Sequence, residues 1–376
     1  MSSIIVTHPS ADQYGSDLQL LETVSAFTQA GHTVSVLLPA SGPLVPMLES
    51  RGAAVRFVDV PILRKNLLSP TGLIKLAWST LRTAPSMWRE LRSDRATTAL
   101  WINTITTPSW FVLGRLAGLR TITHGHEAES DGPKWARLGL AMPTTLAHRI
   151  VTNSSAAATA LTDLLPRLGK KISVVHNGMP GPTTPPEAPR QRQAHDRATV
   201  ALIARLSPRK GIDVALEAAA ELRIQGIDIR LIVCGTVFEG YEWYETELRN
   251  RSQQADLSGA IEFRGYVNPT WPVLAGADVV IVPSRVEPFG NTAVEAFLAE
   301  RPLVASRTQG LREIVTHELT GLLVEPDNAP ALASAIVRLL DDPALAATLA
   351  QAGRREALDR FSPEAYRSAL VRVLNR

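Results

Sequence analysis

Two pairs of residues in the second half of the chain carry the most specific chemistry. In the segment ARLSPRKG (204–211), Arg205 and Lys210 lie five apart across a tight turn that follows a predicted strand and opens a predicted helix. Both heads can converge on one anion, the guanidinium as a bidentate fork and the ammonium as a mobile point charge. The N–H groups and positive dipole end of the following helix add to the same field. In VPSRVEPFGNTAVEAF (282–297), Glu287 lies in a loop after a predicted strand and Glu295 follows eight residues later inside an amphipathic helix. The turn between them, Pro288, Phe289, Gly290, Asn291 and Thr292, presents backbone amides at a helix start. A carboxylate accepts two hydrogen bonds at once, which suits the vicinal hydroxyls of a sugar or ribose.

Two weaker segments lie in the first half. His126 in THGHEAES (124-130 with Thr123) follows a predicted strand and, with Glu127, can serve a sugar hydroxyl or a developing charge. The His-x-His pair that it forms with His124 also has a spacing open to zinc, but no further ligand cluster accompanies it, so no metal site is predicted. In HPSADQYGSD (8–17), Gly15 lets backbone approach a ligand closely and Gly15-Ser16 opens a helix; a plain turn fits this segment equally well. Other nucleotide chemistries are not supported. The chain has no GxxxxGK[ST], no GxGxxG and no DxD. Any diphosphate held here must therefore be met by protein cations and amides.

The elements that position these residues alternate regularly. Short apolar strands are predicted at 4–8, 33–38, 54–58, 99–102, 120–123, 150–152 and 174–176, with helical periodicity between them, as in Leu18, Leu21, Val24 and Phe27 before the terminating Gly31. A stretch rich in proline and glycine (178–197) reads as a linker. The pattern then restarts with strands at 199–204, 229–234, 261–263, 279–283 and 303–305, helices at 212–222 and 292–299, and a helical tail in which Pro343 and Pro363 mark helix starts. Continuous apolar strands between helices predict parallel sheets covered on both faces. The expected architecture is α/β: two doubly wound Rossmann-like domains facing a deep cleft. The N-terminal domain is placed at 1–180, a proline-rich hinge at 181–197, the C-terminal domain at 198–360, and a last helix crossing back to the N-terminal domain at 361–376.

Composition agrees with a globular protein. The 376 residues are 45% hydrophobic and 20% charged, which excludes a disordered or coiled-coil chain. One cysteine, Cys234, excludes a disulfide framework. Residues 1–185 carry 17 Lys/Arg against 11 Asp/Glu and the remainder 22 against 25, so the basic half is the N-terminal one and an anionic partner is expected there. The start, MSSIIVTHPS, lacks a signal-peptide pattern and no apolar run approaches a spanning length, which predicts a cytoplasmic protein.

Taken together the segments resemble the retaining GT-B glycosyltransferases of family 4. EPFGNTAVE resembles that family's E-x7-E signature, ARLSPRKG its G-R-L-x-x-x-K-G segment, and RTQGLREIV with TGLLVEP the strand-helix stretch that follows. GHTVSVL, VTNSSA, VVHNGM and FRGYV are fainter echoes in the right order. The resemblance implies transfer of a sugar from a nucleotide-diphosphate sugar to a hydroxyl acceptor, with no cofactor and no metal. It implies that Arg205 and Lys210 bind the donor diphosphate, Glu295 the ribose, and Glu287 the transferred sugar, helped by the amides of Phe289 and Gly290 with Asn291 and Thr292 beside them. His126 is implied near the sugar, Gly15 and Ser16 at the diphosphate, and Arg264, Tyr266 and Val267 near the base. Ala204 stands where a glycine is commoner, and Gly15-Ser16-Asp17 where a Gly-Gly pair is expected. A sugar-nucleotide epimerase or a non-catalytic sugar-nucleotide-binding protein would share the architecture.

The acceptor is less legible. Residues 64–95 hold seven Lys/Arg, two acidic residues and two tryptophans, a mixture that can lie on an anionic membrane surface where a lipid-linked or carbohydrate acceptor of cell-envelope polysaccharide or glycolipid synthesis would be found. Peripheral contact with the inner face of the membrane is therefore expected. No nucleic-acid module is present.

Overall fold

A computed structural model describes residues 2–63, 70–126, 133–186, 196–237 and 240–376. The middle of the expected linker, Glu127, and the first part of the basic segment 64–95 lie outside the described residues. The chain divides into two compact units, Met1–Gly178 with Pro363–Arg376, and Met179–Ser362.

The first unit is built on seven parallel strands, β1 (Ser3–Thr7), β2 (Thr33–Leu38), β3 (Ala53–Phe57), β4 (Thr97–Ile102), β5 (Arg120–Gly125), β6 (Arg149–Thr152) and β7 (Ile172–Val174), in the order β3-β2-β1-β4-β5-β6-β7. The last of these begins two residues before the expected position; Val175 still donates its N–H to Thr152 O at 2.8 Å, so pairing outlasts the regular strand. Side chains alternate across the sheet. Ile4 and Val6 pack with Val24, Phe27 and Trp101 on one face, while Ile5 packs with Leu37, Leu100 and Trp110 on the other. Burial of every residue of β1 explains why its sequence is a continuous apolar run rather than an alternating one.

The second unit carries six parallel strands, β8 (Ala198–Ile203), β9 (Ile229–Cys234), β10 (Ile261–Gly265), β11 (Val279–Val282), β12 (Leu303–Ser306) and β13 (Leu322–Val324), in the order β10-β9-β8-β11-β12-β13. Its sheet is also covered twice: Val200, Leu202, Val279 and Ile281 face one apolar layer, Ala201, Val280 and Val282 the other. The helical tail consists of Ala329–Asp341, Pro343–Arg360 and Pro363–Asn375, with Asn328 and Asp342 accepting from the N–H groups of Ala331 and Leu345 as N-caps.

The last helix packs in the first unit for a specific reason. Tyr366, 2% exposed, joins Phe27 and Trp101 in the core, and its hydroxyl lies 2.7 Å from Thr23 Oγ1. Arg367 pairs with the buried Glu22, and Arg120 donates to Leu374 O at the helix end. In both units the strand order reverses between neighbours whose crossovers leave in opposite directions, β1 and β4 in the first and β8 and β11 in the second. In such sheets the crevice outside the carboxyl ends of those two strands is where ligands bind.

Candidate active site

In the second unit the loops that leave β8 and β11 are the two that carry Lys210 and Glu287. They are pressed together backbone to backbone. Gly211 has φ +65°, and a Cβ there would stand 2.0 Å from Pro283 O, so no other residue fits. The N–H of Arg285 donates to Arg209 O at 2.8 Å, and its guanidinium donates to both carboxylate oxygens of Asp213, at 2.9 and 2.6 Å, and to Pro208 O at 2.5 Å. Asp213 sits in the first turn of helix Ile212–Ile224 and also accepts from the hydroxyl of Tyr244 at 2.6 Å. Burial alone would raise its pKa; the bonds from Arg285 and Tyr244 outweigh that and hold the carboxyl below its ordinary range.

This stapling brings the two principal candidates into contact. Lys210 Nζ donates to Glu287 Oε2 at 2.5 Å, and Ser284 Oγ donates to the same oxygen at 3.2 Å. Their side chains are 27% and 12% exposed, so the pair is partly screened from water yet reachable. A small cavity beside it is lined by Leu202, Ala204, Lys210, Ser284, Glu287 and Thr292 among others. Arg205, half-buried, leaves the same strand end as Lys210.

Helix Asn291–Leu298 starts at Gly290, whose φ of +120° places it where L side chains are strained; a Cβ would also meet Leu311 Cδ2 at 2.7 Å. Phe289 is buried against Phe361, ring centroids 5.7 Å apart, so what it can offer a ligand is its backbone. Asn291 is the first helical residue. The Thr292 hydroxyl donates to Ile203 O at 3.0 Å, so its side chain ties the helix to the end of β8. Glu295 lies one turn further along, half-buried and bonded to Thr270; burial pushes its carboxyl up to about 7 despite that bond. Tyr266 is 42% exposed at the end of β10, Val267 packs partly on the core, and Arg264 donates to Glu262 at 2.7 Å.

The first unit has a corresponding polar centre. His126 follows β5 directly and its Nε2 lies 3.2 Å from Asn103 Oδ1 at the end of β4. Asn103 Nδ2 donates to His8 Nδ1 at 3.0 Å, at the end of β1, and His8 Nε2 donates to Asp17 Oδ1 at 2.7 Å. Helix Gly15–Gln29 starts at the glycine, with Ser16 next and Asp17 at the third position. Asp17 also accepts from Ser10 Oγ at 2.6 Å and from the N–H of Tyr14 at 2.9 Å. Burial would raise the Asp17 pKa, but the bonds from His8, Ser10 and Tyr14 bring it below its usual value. Burial lowers His126 to about 3, so its imidazole is neutral near pH 7. His124 stacks on it with centroids 4.1 Å apart and is also held far below its ordinary range by burial. Among the described residues no group of three or more His, Cys, Asp or Glu is arranged to hold a metal ion.

Reasoning from sequence missed Ser284, Arg285 and Asp213 in the second unit and His8, Asp17 and Asn103 in the first. The segments quoted for Glu287 and Gly15 already contained Ser284, Arg285, His8 and Asp17. Nothing in their spacing told a buried hydrogen-bonded charge from a solvated one. Asp17 alone carried a local signal, an acidic residue three after the residue that caps a helix.

Comparison with known proteins agrees with this architecture. Residues 15–180 match the model described as Glycosyltransferase Family 4, and residues 185–356 the model described as Glycosyl transferases group 1. The chain is 30% identical over 226 residues to a glycogen synthase of Mycobacterium tuberculosis, a match covering 60% of this chain and 53% of that protein, so it spans about half the length of the first curated relatives it matches. It is 31% identical over 280 residues to a GDP-mannose-dependent alpha-(1-6)-phosphatidylinositol monomannoside mannosyltransferase of Mycolicibacterium smegmatis, covering 70% of this chain and 72% of that one. In fold it is similar to Anabaena Alr3699/HepE, solved in complex with UDP and glucose, with a TM-score of 0.84 at 22% identity over the whole of both chains. With Rossmann-like parallel sheets in both units and these matches, the chain belongs to the family 4, group 1 glycosyltransferases of GT-B fold.

Proposed function

We propose that this protein moves a sugar from a nucleotide-diphosphate sugar to a hydroxyl acceptor with retention of anomeric configuration, without a metal ion. The observation that carries this reading is the Lys210–Glu287 contact at the point where the second sheet reverses its strand order. A cation and a carboxylate held on one spot suit a ligand that is anionic at one end and rich in hydroxyls at the other. Arg205, Lys210 and the amides of the first turn after Gly290 meet the diphosphate; Glu287 accepts from hydroxyls of the transferred sugar; Glu295 accepts from the ribose; Tyr266 and Val267 lie at the base; and Gly15 and Ser16 offer their backbone to the phosphates. His126 accepts from a hydroxyl of the sugar at Nδ1. The bond between the anomeric carbon and the diphosphate oxygen breaks, the acceptor oxygen bonds the same face of that carbon, and the acceptor proton passes to the departing phosphate. Negative charge on the leaving oxygen grows in this step, which is where preorganised cations and amides lower the barrier most.

The test is a panel of nucleotide sugars with and without candidate acceptors. It includes UDP-glucose and GDP-mannose, which the similar structures and relatives name. Lys210→Ala and Glu287→Ala are each expected to lower the transfer rate by roughly 100-fold or more while the circular dichroism spectrum is kept. Near-normal turnover by both, or conversion of the donor sugar with no acceptor present, would overturn the reading.

The acceptor is proposed to be lipid-linked. Helix Pro70–Leu91 buries Met87 and Leu91 and exposes Ile74, Trp78 and Leu81, 70–72% accessible and spaced along one ridge, with Lys75, Arg82 and Arg89 on its flank. Apolar and basic rows side by side fit a helix lying on an anionic surface. No helix among the described residues is long and apolar enough to cross a membrane. Co-sedimentation with vesicles containing anionic lipid is expected and should fall several-fold in Trp78→Glu; equal recovery with neutral vesicles or none with either would end this part of the proposal.

A further inference from the structure

Three neighbouring strand ends and one helix start in the first unit each contribute one member to a continuous line of hydrogen bonds, Asp17–His8–Asn103–His126. Three members are at most 3% exposed. We infer that this line fixes His126 as the Nε2–H tautomer and that Asp17, His8 and Asn103 are positioning residues for it.

Each bond in the line has a fixed direction. An ionised carboxylate only accepts, so His8 Nε2 must carry the proton that Asp17 Oδ1 receives. Asp17 has two further donors on it, Ser10 Oγ and the N–H of Tyr14, which keep it in the accepting form. The nitrogen of the Asn103 amide can only donate, so His8 Nδ1, 3.0 Å away, receives a hydrogen from it. An amide that gives its N–H on one side turns its oxygen to the other. Asn103 Oδ1 therefore faces His126 and takes a hydrogen from Nε2, which leaves Nδ1 as the accepting nitrogen of that ring. Each step follows from the one before, and the whole is anchored by one acidic side chain at the third position of a helix. The amide itself is held by its own backbone, whose N–H donates to Thr7 O at 2.9 Å. A histidine meant to meet a sugar with one defined hydrogen-bonding edge needs this kind of support, because the two neutral tautomers otherwise differ little in energy.

The tautomer is independent of whether the protein transfers sugar; its consequence for rate rests on the glycosyltransferase reading above. Protein labelled with 15N-histidine, with the His126 signals assigned through His126→Gln, is to be examined by two-bond proton–nitrogen correlation near pH 7.5. The wild type is expected to show His126 as Nε2–H. Asp17→Asn keeps the volume and removes the fixed polarity, and both tautomers should then be populated; Asn103→Ala should also release the ring. With donor and acceptor in hand, both variants are expected to lose about 10–100-fold in kcat, the range found for groups that orient a functional imidazole, with the KM for donor nearly unchanged. An Nδ1–H ring in the wild type overturns the inference, as does an Nε2–H ring that is unaltered in both variants. If the wild type transfers no sugar at all, the proposed function falls, while the ring measurement still decides this one.

Discussion

At the scale of single residues, the contact between Lys210 and Glu287 has two consequences. Without a donor, each neutralises the other at 2.5 Å, so a diphosphate approaching Lys210 must share it with a carboxylate. Removing one partner also leaves the other charge in a partly desolvated place, a cost that belongs to the survivor and not to the lost group. Lys210→Ala and Glu287→Ala are thus expected to be non-additive. A double-mutant cycle on thermal or denaturant stability should give a coupling of roughly 1–3 kcal/mol, with the double variant more stable than the sum of the singles predicts. Strict additivity would mean that the pair does not form in solution.

At the scale of elements, what matters is that two loops from neighbouring strands act as one. Arg285 is the main tie, reaching Asp213 in the first turn of one helix, Pro208 O in the preceding loop and Asp327 beyond β13. Its bonds are charge-assisted and partly shielded, so they hold geometry better than an open surface pair would. Arg285→Ala is expected to lower stability by roughly 1–2 kcal/mol and the transfer rate by about 10-fold, since Lys210 and Glu287 would keep their identities and lose their alignment. Arg285→Lys should recover little, because a point charge cannot span both oxygens of Asp213. Steady-state kinetics beside a denaturant titration would check this; an unaltered rate in Arg285→Ala would show that the loops hold their places without it.

At the scale of the whole chain, acid is the expected weakness. His124 is fully buried at the centre of the first sheet, and burial lowers its pKa well below the 6.5 of an exposed imidazole, with the neighbouring His126 acting in the same direction. The unfolded chain therefore binds a proton that the folded chain refuses. Stability is complete above about pH 7 and declines as pH falls through 6.5, by about 1.4 kcal/mol per pH unit from this histidine alone, and His126 adds a contribution of the same sign. Urea midpoints between pH 8 and 5 should drop accordingly, and His124→Asn or His124→Gln should flatten the slope even where it lowers the midpoint. A midpoint that does not move over that range would place the histidine proton elsewhere.

The sequence by itself determined the alternation of strand and helix, the two parallel sheets and the segments where chemistry gathers, because periodic burial and glycine or proline punctuation are local properties of the chain. Pro343 and Pro363 marked helix starts for the same reason, through a fixed φ and a missing donor. Arg205, Lys210, Glu287 and Glu295 were legible as types at spacings. That Lys210 touches Glu287, that Thr292 spends its hydroxyl on Ile203, and that Arg285 binds Asp213 from 72 residues away were not. Nor was the line from Asp17 to His126, whose members come from positions 8, 17, 103 and 126. Strand order put these groups side by side, and strand order is set by which apolar faces pack best over the whole sheet, a sum over distant residues that no local window contains.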